Sequence, residues 1–321
     1  MKNILEDIKR KYNYKVNDLK INKKTLNDHT NYVNNIIVLN DGRLCSCSSD
    51  QKMIIYNKNY EIDLTIKDNC NIYYHSQLNN NDLISCCKDN TLKIYNLYNV
   101  NQYSLIQTLK SHEKPVLKVI EVNDKLISCG FDRTVKIWEK DLSNIYFCSK
   151  TLYLCNYNNS RLNVLKTNDQ KFVCSISERN CLKFFTSNNI KEINTINNIV
   201  SNGWQNSMCM INDKLLLIGG EHSKGIYLVD CSNYSIISEA VISDIYVQSS
   251  LILFNGDIVI GCRDENNKYS INKYRYDDNN KCFIKIKTRE SVHYAGILSL
   301  VEMFEGTIIS SSDDRTIKLW E

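Results

Sequence analysis

Residues 127–139 read ISCGFDRTVKIWE, and residues 309–321 read ISSSDDRTIKLWE. Two near-copies of thirteen residues, 182 positions apart, mark a structural unit that the chain uses more than once. Each copy holds a Ser four residues before an Asp, then a β-branched and apolar run that ends in Trp: Ser128, Asp132, Trp138 and Ser310, Asp314, Trp320. A His lies upstream of each, His112 20 residues before Asp132 and His293 21 before Asp314. The frame recurs at His29, Ser46, Asp50, Tyr56. It recurs again at Ser85, Asp89, Tyr95, where Asp68 or Asn69 stands near the place of the His.

The aspartates at 50, 89 and 132 are 39 and 43 apart, so 182 residues correspond to four steps of about 45. Three fainter copies are therefore expected between the two clear ones. They are visible as Cys174, Glu178, Phe185, as NDKLLLIGGE (212–221) followed by IYLVD, and as NGDIVIGC (255–262). Each unit consists of apolar runs of about 4 to 8 residues broken by Asn, Asp and Gly turns, which predicts short antiparallel strands and an all-β fold.

The order His, Ser, Asp, Trp, with Trp-Glu in place of Trp-Asp, resembles the WD-repeat β-propellers. That resemblance implies seven blades of four antiparallel strands, at about 29–66, 67–109, 110–154, 155–200, 201–243, 244–291 and 292–321. It also implies that the four residues form a hydrogen-bond network locking each blade, since a buried Asp in a tight turn must find donors. Tyr56 and Tyr95 stand at the Trp position of the first two units, which predicts thinner networks there. The last unit reaches Glu321 on its third strand, and INKKTLNDH (21–29) resembles LIQTLKSH (105–112). Residues 20–27 are thus expected to add the fourth strand of the last blade and close the ring, with Glu321 as the domain end. A single propeller over 20–321 would follow an N-terminal basic arm, 1–19. In that arm Ile4, Leu5 and Ile8 share one helical face. A short amphipathic helix on the rim, a tail, and the end of a partner-binding helix all fit this pattern.

Composition narrows the functional classes. Residues 1–28 hold eight Lys/Arg against four Asp/Glu, and the rest of the chain balances 32 of each, for a net +4 overall. A neutral body argues against duplex nucleic acid, which asks for a clustered basic face. No apolar run is long enough to span a bilayer and the first twenty residues lack a signal-peptide core, so an intracellular protein, cytoplasmic or nuclear, is expected. The fourteen cysteines are scattered along strand-like stretches and form no CxxC pair, so they read as reduced core residues, with no metal and no cofactor expected.

Chemistry is sparse. His112, Ser128 and Asp132 have the composition of a catalytic triad, but the set recurs once per blade and catalysis needs no third copy. His75 in a strand-like stretch and His222 in a turn read as structural or solvent-facing. Gly219-Gly220 lacks the Lys of a phosphate loop. No catalytic residue is expected. In the WD-repeat family, partners often meet the loop face at positions three and five after the His and one before the Asp. Carried over, this frame selects Tyr32, Tyr73, Phe131, Arg161, Trp204, Tyr246 and Asp313. Aromatics and Arg are the residue types enriched in binding hot spots. The expected function is a non-catalytic interaction scaffold, a monomeric propeller within a larger assembly, that holds a peptide segment or protein partner. A substrate receptor of a ubiquitin ligase is one version of it, although Glu139-Lys140-Asp141 after Trp138 lacks the Arg some such receptors carry there. A propeller enzyme with a metal in its channel is the alternative from another class. It would need carboxylates and His on the innermost strands, where VNNIIVL (33–39) and VLKVIEV (116–122) are mostly apolar or Asn.

Overall fold

The structure is a computed structural model that describes residues 14–19, 22–99, 102–155, 161–167, 171–177, 180–197, 199, 207–220, 226–240 and 245–321. The chain forms a seven-bladed β-propeller of four-stranded antiparallel sheets. In six sheets the four strands follow one another in chain order, over 33–67, 72–110, 116–153, 162–196, 207–240 and 245–293. The seventh takes Ile297–Glu302, Ile308–Ser312 and Ile317–Trp320 and completes itself with the N-terminal strand Asn22–Leu26. That strand runs antiparallel to the C-terminal one, from Asn22 opposite Trp320 to Leu26 opposite Ile317. The boundaries differ from the expected blades by one or two residues at Lys67, Lys110 and Val292–His293, which finish the outer strands of the preceding sheets.

A shared register explains why the repeat frame works. Leu126 lies opposite Trp138, and the same pairing recurs as Leu83 with Tyr95, Phe172 with Phe185, Ile258 with Tyr274 and Ile308 with Trp320. In the fifth blade the pair is Leu215 with Asp230, and fully buried Leu217 replaces the serine of the frame. Apolar packing fills the place of the polar network in that blade, which is why its repeat is faint in the sequence.

Two compact units make up the chain, Met1–Cys45 with Asn206–Glu321, and Ser46–Gln205. Within each, the core lies between successive sheets. Successive residues of a strand point to opposite faces, so a strand buried on both sides serves two interfaces. In the Ser46–Gln205 unit, Leu126 and Trp138 pack against Ile84, Cys86, Leu92 and Ile94 of the second blade. Their neighbours Ile127, Cys129, Val135 and Ile137 pack against Val164, Phe172 and Phe185 of the fourth. In the other unit Leu217 and Leu228 meet Ile258, Ile260 and Tyr274, and Val259 and Ile271 meet Ile297, Leu300 and Trp320.

Residues Tyr14–Leu19 have no regular secondary structure and are fastened to the last blade. The Tyr14 hydroxyl donates to Glu302 Oε1 at 2.9 Å, and Asn17 Nδ2 donates to the carbonyls of Gly306 and Trp320. Lys273 Nζ donates to the Asn17 carbonyl at 2.8 Å, and Leu19 is fully buried. Gly306 has φ +97°, and a Cβ there would lie 2.0 Å from the Lys15 carbonyl oxygen, so only glycine fits beneath this segment. Burial raises the Glu302 pKa to about 7, against the opposing pull of the Phe254 N–H and the Tyr14 hydroxyl. The helical face expected from Ile4, Leu5 and Ile8 lies outside the described residues.

Candidate partner-binding site

In the first, second, third and seventh blades the turn between the second and third strands is built by an Asp followed by a residue in the left-handed region: Gln51, Asn90, Arg133 and Arg315, with φ of 71°, 72°, 65° and 72°. The Asp carboxylate then accepts the N–H two residues on, as Asp132 Oδ1 does from Thr134 at 3.1 Å and Asp314 Oδ1 from Thr316 at 3.0 Å.

In the third blade Trp138 Nε1 donates to Ser128 Oγ at 2.8 Å. Ser128 Oγ and His112 Nε2 are 2.7 Å apart, as are His112 Nδ1 and Asp132 Oδ2. One proton assignment satisfies every atom: indole N–H to serine oxygen, serine O–H to Nε2, and Nδ1–H to the carboxylate. The seventh blade repeats it with Trp320, Ser310, His293 and Asp314 at 2.9, 2.7 and 2.8 Å. Burial raises the Asp132 pKa, but His112 and the donors of Thr134 and Glu113 outweigh it and hold the carboxyl at about 2. Asp314 is depressed in the same way, and burial lowers His293 against the pull of Asp314. Although the distances match a hydrolytic triad, Ser128 and Ser310 are fully buried with the indole N–H on the serine oxygen. A nucleophile needs room for a substrate carbonyl, and this one is walled in.

The first two blades carry Tyr56 and Tyr95 in place of the indole. His29, Ser46 and Tyr56 are buried, and Asp50 caps its turn by accepting from Lys52 N at 3.1 Å. In the second blade Asp68 takes the His position: it accepts from the Tyr95 hydroxyl at 2.6 Å and pairs with Lys93, which also reaches Asp89 at 3.1 Å. Ser85 Oγ lies 3.3 Å from Cys87 Sγ. His75 is fully buried in the strand Ile72–Gln77, rather than solvent-facing. Among the described residues, Asp68, Cys70 and Cys87 place an oxygen and two sulfurs within 4.8 Å of one another, a spacing a metal ion could use. Lys93 Nζ already supplies a cation to that cluster, contacting Asp68 and lying 3.7 Å from Cys70 Sγ.

Of the residues singled out for partner contact, Arg161 and Phe131 come together in the Ser46–Gln205 unit, with Tyr73 within electrostatic reach of Arg161. The Arg161 guanidinium lies over the Phe131 ring, 5.6 Å from its centroid. Tyr73 is close enough to feel the Arg161 charge; burial raises its pKa and Arg161 pulls it down. Backbone bonds fix the two loops, Phe131 N to the Pro115 carbonyl at 2.9 Å and Arg161 N to Ser177 Oγ at 3.0 Å. A Cβ at Gly130, next to Phe131, would sit 3.0 Å from both His112 Nδ1 and the Pro115 oxygen, so the backbone packs tightly against the third blade's network there. In the other unit Tyr32 is exposed, and Asp313 N bonds the Gly296 carbonyl at 3.0 Å. Tyr246 stacks under Arg263, 4.5 Å from guanidinium to ring centroid. Trp204 lies outside the described residues.

Two residues of this kind escaped the sequence reading. Arg263 stands one before Asp264, the same count that selects Phe131, so the signal was present in the sixth blade. Tyr294, 91% exposed beneath Lys318, directly follows His293, a position the counting frame passes over.

The WD domain, G-beta repeat model matches residues 21–57, 103–139 and 285–321. The chain carries WD repeats at these segments of a seven-bladed β-propeller. These three segments hold the blade-opening strand and the clearest copies of the frame. Protein transport protein SEC13 of Lodderomyces elongisporus is 37% identical over 62 residues, 18% of this chain and 20% of the relative. Pre-mRNA-processing factor 17 of Saccharomyces cerevisiae is 27% identical over 104 residues, 32% of this chain and 22% of the relative. The chain thus spans only about a fifth of the length of these curated relatives. The crystal structure of the WD40 β-propeller domain of Doa1 superimposes with TM-score 0.72 at 19% identity, covering 94% of this chain and 96% of that one. A chain of the mitotic checkpoint complex gives 0.78 at 12%, covering 94% and 91%. At such identities the likeness carries the fold. No helix among the described residues is long and apolar enough to cross a membrane.

Proposed function

We propose that this WD-repeat propeller is a non-catalytic scaffold, working inside the cell within a larger assembly, that holds a protein partner through the loops of its second, third and fourth blades. The observation that carries this reading is the Arg161–Phe131 stack beside Tyr73. A rigid aromatic under a guanidinium offers an apolar contact and a fixed positive charge on one small area, the pairing that dominates hot spots. The matching partner segment carries an apolar anchor with an acidic or phosphorylated group beside it. Tyr246 with Arg263 repeats the chemistry in the other unit. All fourteen cysteines are free thiols, in keeping with a reducing compartment.

The test is co-purification from the native cell with the wild-type chain and with Phe131→Ala and Arg161→Ala, followed by Kd measurement on the captured partner. Each substitution is expected to weaken binding by about 2 kcal/mol, roughly 30-fold, with thermal stability unchanged. Full-strength capture by both folded variants would overturn the assignment.

A further inference from the structure

The second blade holds chemistry that partner binding does not use. Cys70 lies in the bend between the strands Ile62–Lys67 and Ile72–Gln77 and is partly exposed, whereas Cys87 ends the strand Leu83–Cys87 and is fully buried. Their sulfurs are within 4.8 Å of each other. Lys93 Nζ lies 3.7 Å from Cys70 Sγ, and Ser85 Oγ lies 3.3 Å from Cys87 Sγ. We propose that Cys70 and Cys87 form a peroxide-sensitive thiol pair, in which Cys70 is oxidised first and Cys87 resolves it to a disulfide.

Three observations support the assignment of roles. Access differs: a hydroperoxide reaches Cys70 from solvent and does not reach Cys87. Electrostatics differ as well. Both thiols face Asp68, Cys70 Sγ donating to Oδ1 at 3.5 Å and Cys87 Sγ to Oδ2 at 3.8 Å. The neighbouring Cys87 thiol lowers the Cys70 pKa, against burial and the Asp68 charge, and Lys93 adds to the lowering, whereas the Cys70 sulfur and burial raise the Cys87 pKa. Third, the gap is short. Cys87 is held in the sheet opposite Ile72, and Cys70 stands two residues outside that pairing, with the sulfurs within 4.8 Å against about 2 Å in a disulfide. A metal is the competing occupant, and Lys93 argues against it: a divalent ion among these ligands would face an ammonium whose side chain is only 10% exposed.

The chemistry balances with a hydroperoxide as the oxidant. The Cys70 thiolate attacks one peroxide oxygen, the O–O bond breaks, and the alcohol or water leaves with a proton from solvent, giving Cys70 sulfenic acid. The Cys87 sulfur then attacks the Cys70 sulfur; the S–O bond breaks and the hydroxyl leaves as water with the Cys87 proton. Two electrons pass from the thiols to the peroxide. Neither step rests on the partner-binding reading.

Peptide mapping of the full chain after stoichiometric hydrogen peroxide, with intact mass, tests the pair. The expected product is a Cys70–Cys87 linkage formed ahead of oxidation at exposed Cys282. Cys87→Ser should instead accumulate a dimedone-trapped sulfenic acid at Cys70. Lys93→Gln should slow Cys70 oxidation by about tenfold, and Lys93→Arg should restore it. Because Lys93→Gln disturbs a buried ion pair, Cys87→Ser serves as the independent variant. Oxidation confined to Cys282, a Cys87→Ser protein with no trapped Cys70, or one equivalent of metal released as the thiols react would overturn the proposal.

Discussion

The second and third blades share one backbone and differ in the chemistry that locks it. Leu83 lies opposite Tyr95 as Leu126 lies opposite Trp138, and Ser85 lies opposite Lys93 as Ser128 lies opposite Lys136. The Asp after each strand caps its turn in the same way, Asp89 accepting from Thr91 and Asp132 from Thr134. In the third blade a relay of neutral donors connects the indole to a single carboxylate. In the second, an ammonium stands between two carboxylates: Lys93 bridges Asp68 in the loop and Asp89 in the turn, and Tyr95 donates to Asp68. In both blades the loop that opens the blade is connected to its central turn, by a relay in one and by an ion cluster in the other. The two solutions fail differently. Removing one member of a relay orphans a neutral group, whereas removing the cation from a cluster strands a buried charge.

The largest effect should therefore come from the second blade. Lys93→Met leaves the Asp68 carboxylate, 1% exposed, without its cation and should cost about 3 to 5 kcal/mol, read as a fall in the urea midpoint. Adding Asp68→Asn to that variant should recover part of the loss, because the stranded charge is gone. If Lys93→Met costs less than about 1 kcal/mol, the cluster is not what locks this blade and the contrast with the third fails.

An acid titration of stability probes the third blade. The Asp132 pKa falls from 3.8 in the unfolded chain to about 2 in the folded one, so the unfolded state binds the proton more readily. Its contribution, about 2 kcal/mol, is fully present above the unfolded value and is lost as pH falls through about 2. Asp132→Asn should lower stability at neutral pH and flatten the loss between pH 4 and 2. Asp68, Asp89 and Asp314 are also depressed, so Asp132 supplies one share of the wild-type acid limb. An Asp132→Asn protein with an unchanged acid limb would show that the third blade's carboxylate contributes nothing to it.

How legible each blade was follows from the same contrast. His112, Ser128, Asp132 and Trp138 can be read from letters because each has a fixed partner at a fixed spacing, and the third and seventh blades spell the set in full. The second blade hides its lock: Asp68 was visible near the His position, but nothing in the letters says that Lys93, a residue ordinarily read as solvent-exposed, turns inward to meet it. The fifth blade hides it further, since Leu217 in place of the serine substitutes packing for a network and leaves only periodicity. Among the face residues, counting from the frame brought Phe131, Arg161 and Tyr73 to one place. It missed Arg263, which stacks on Tyr246 from the neighbouring strand, although the count that selects Phe131, one residue before the Asp, also reaches Arg263 before Asp264.

The smallest change separates a hub from a spoke. Tyr95→Phe deletes one hydroxyl and keeps the ring, and Asp68 retains Lys93 and the Asn69 N–H, so the cost should be about 1 kcal/mol. Ser128→Ala deletes a hydroxyl of the same size, yet it sits in the middle of the relay, leaving both the Trp138 N–H and His112 Nε2 without their partner. Its cost should be larger, about 2 to 3 kcal/mol, although both edits remove a single oxygen from a buried site. Paired urea melts of the two variants decide the matter. If Tyr95→Phe proves as costly as Ser128→Ala, the tyrosine is the centre of the second blade's lock and Lys93 only an accessory to it, which would make that blade a variant of the relay rather than an alternative to it.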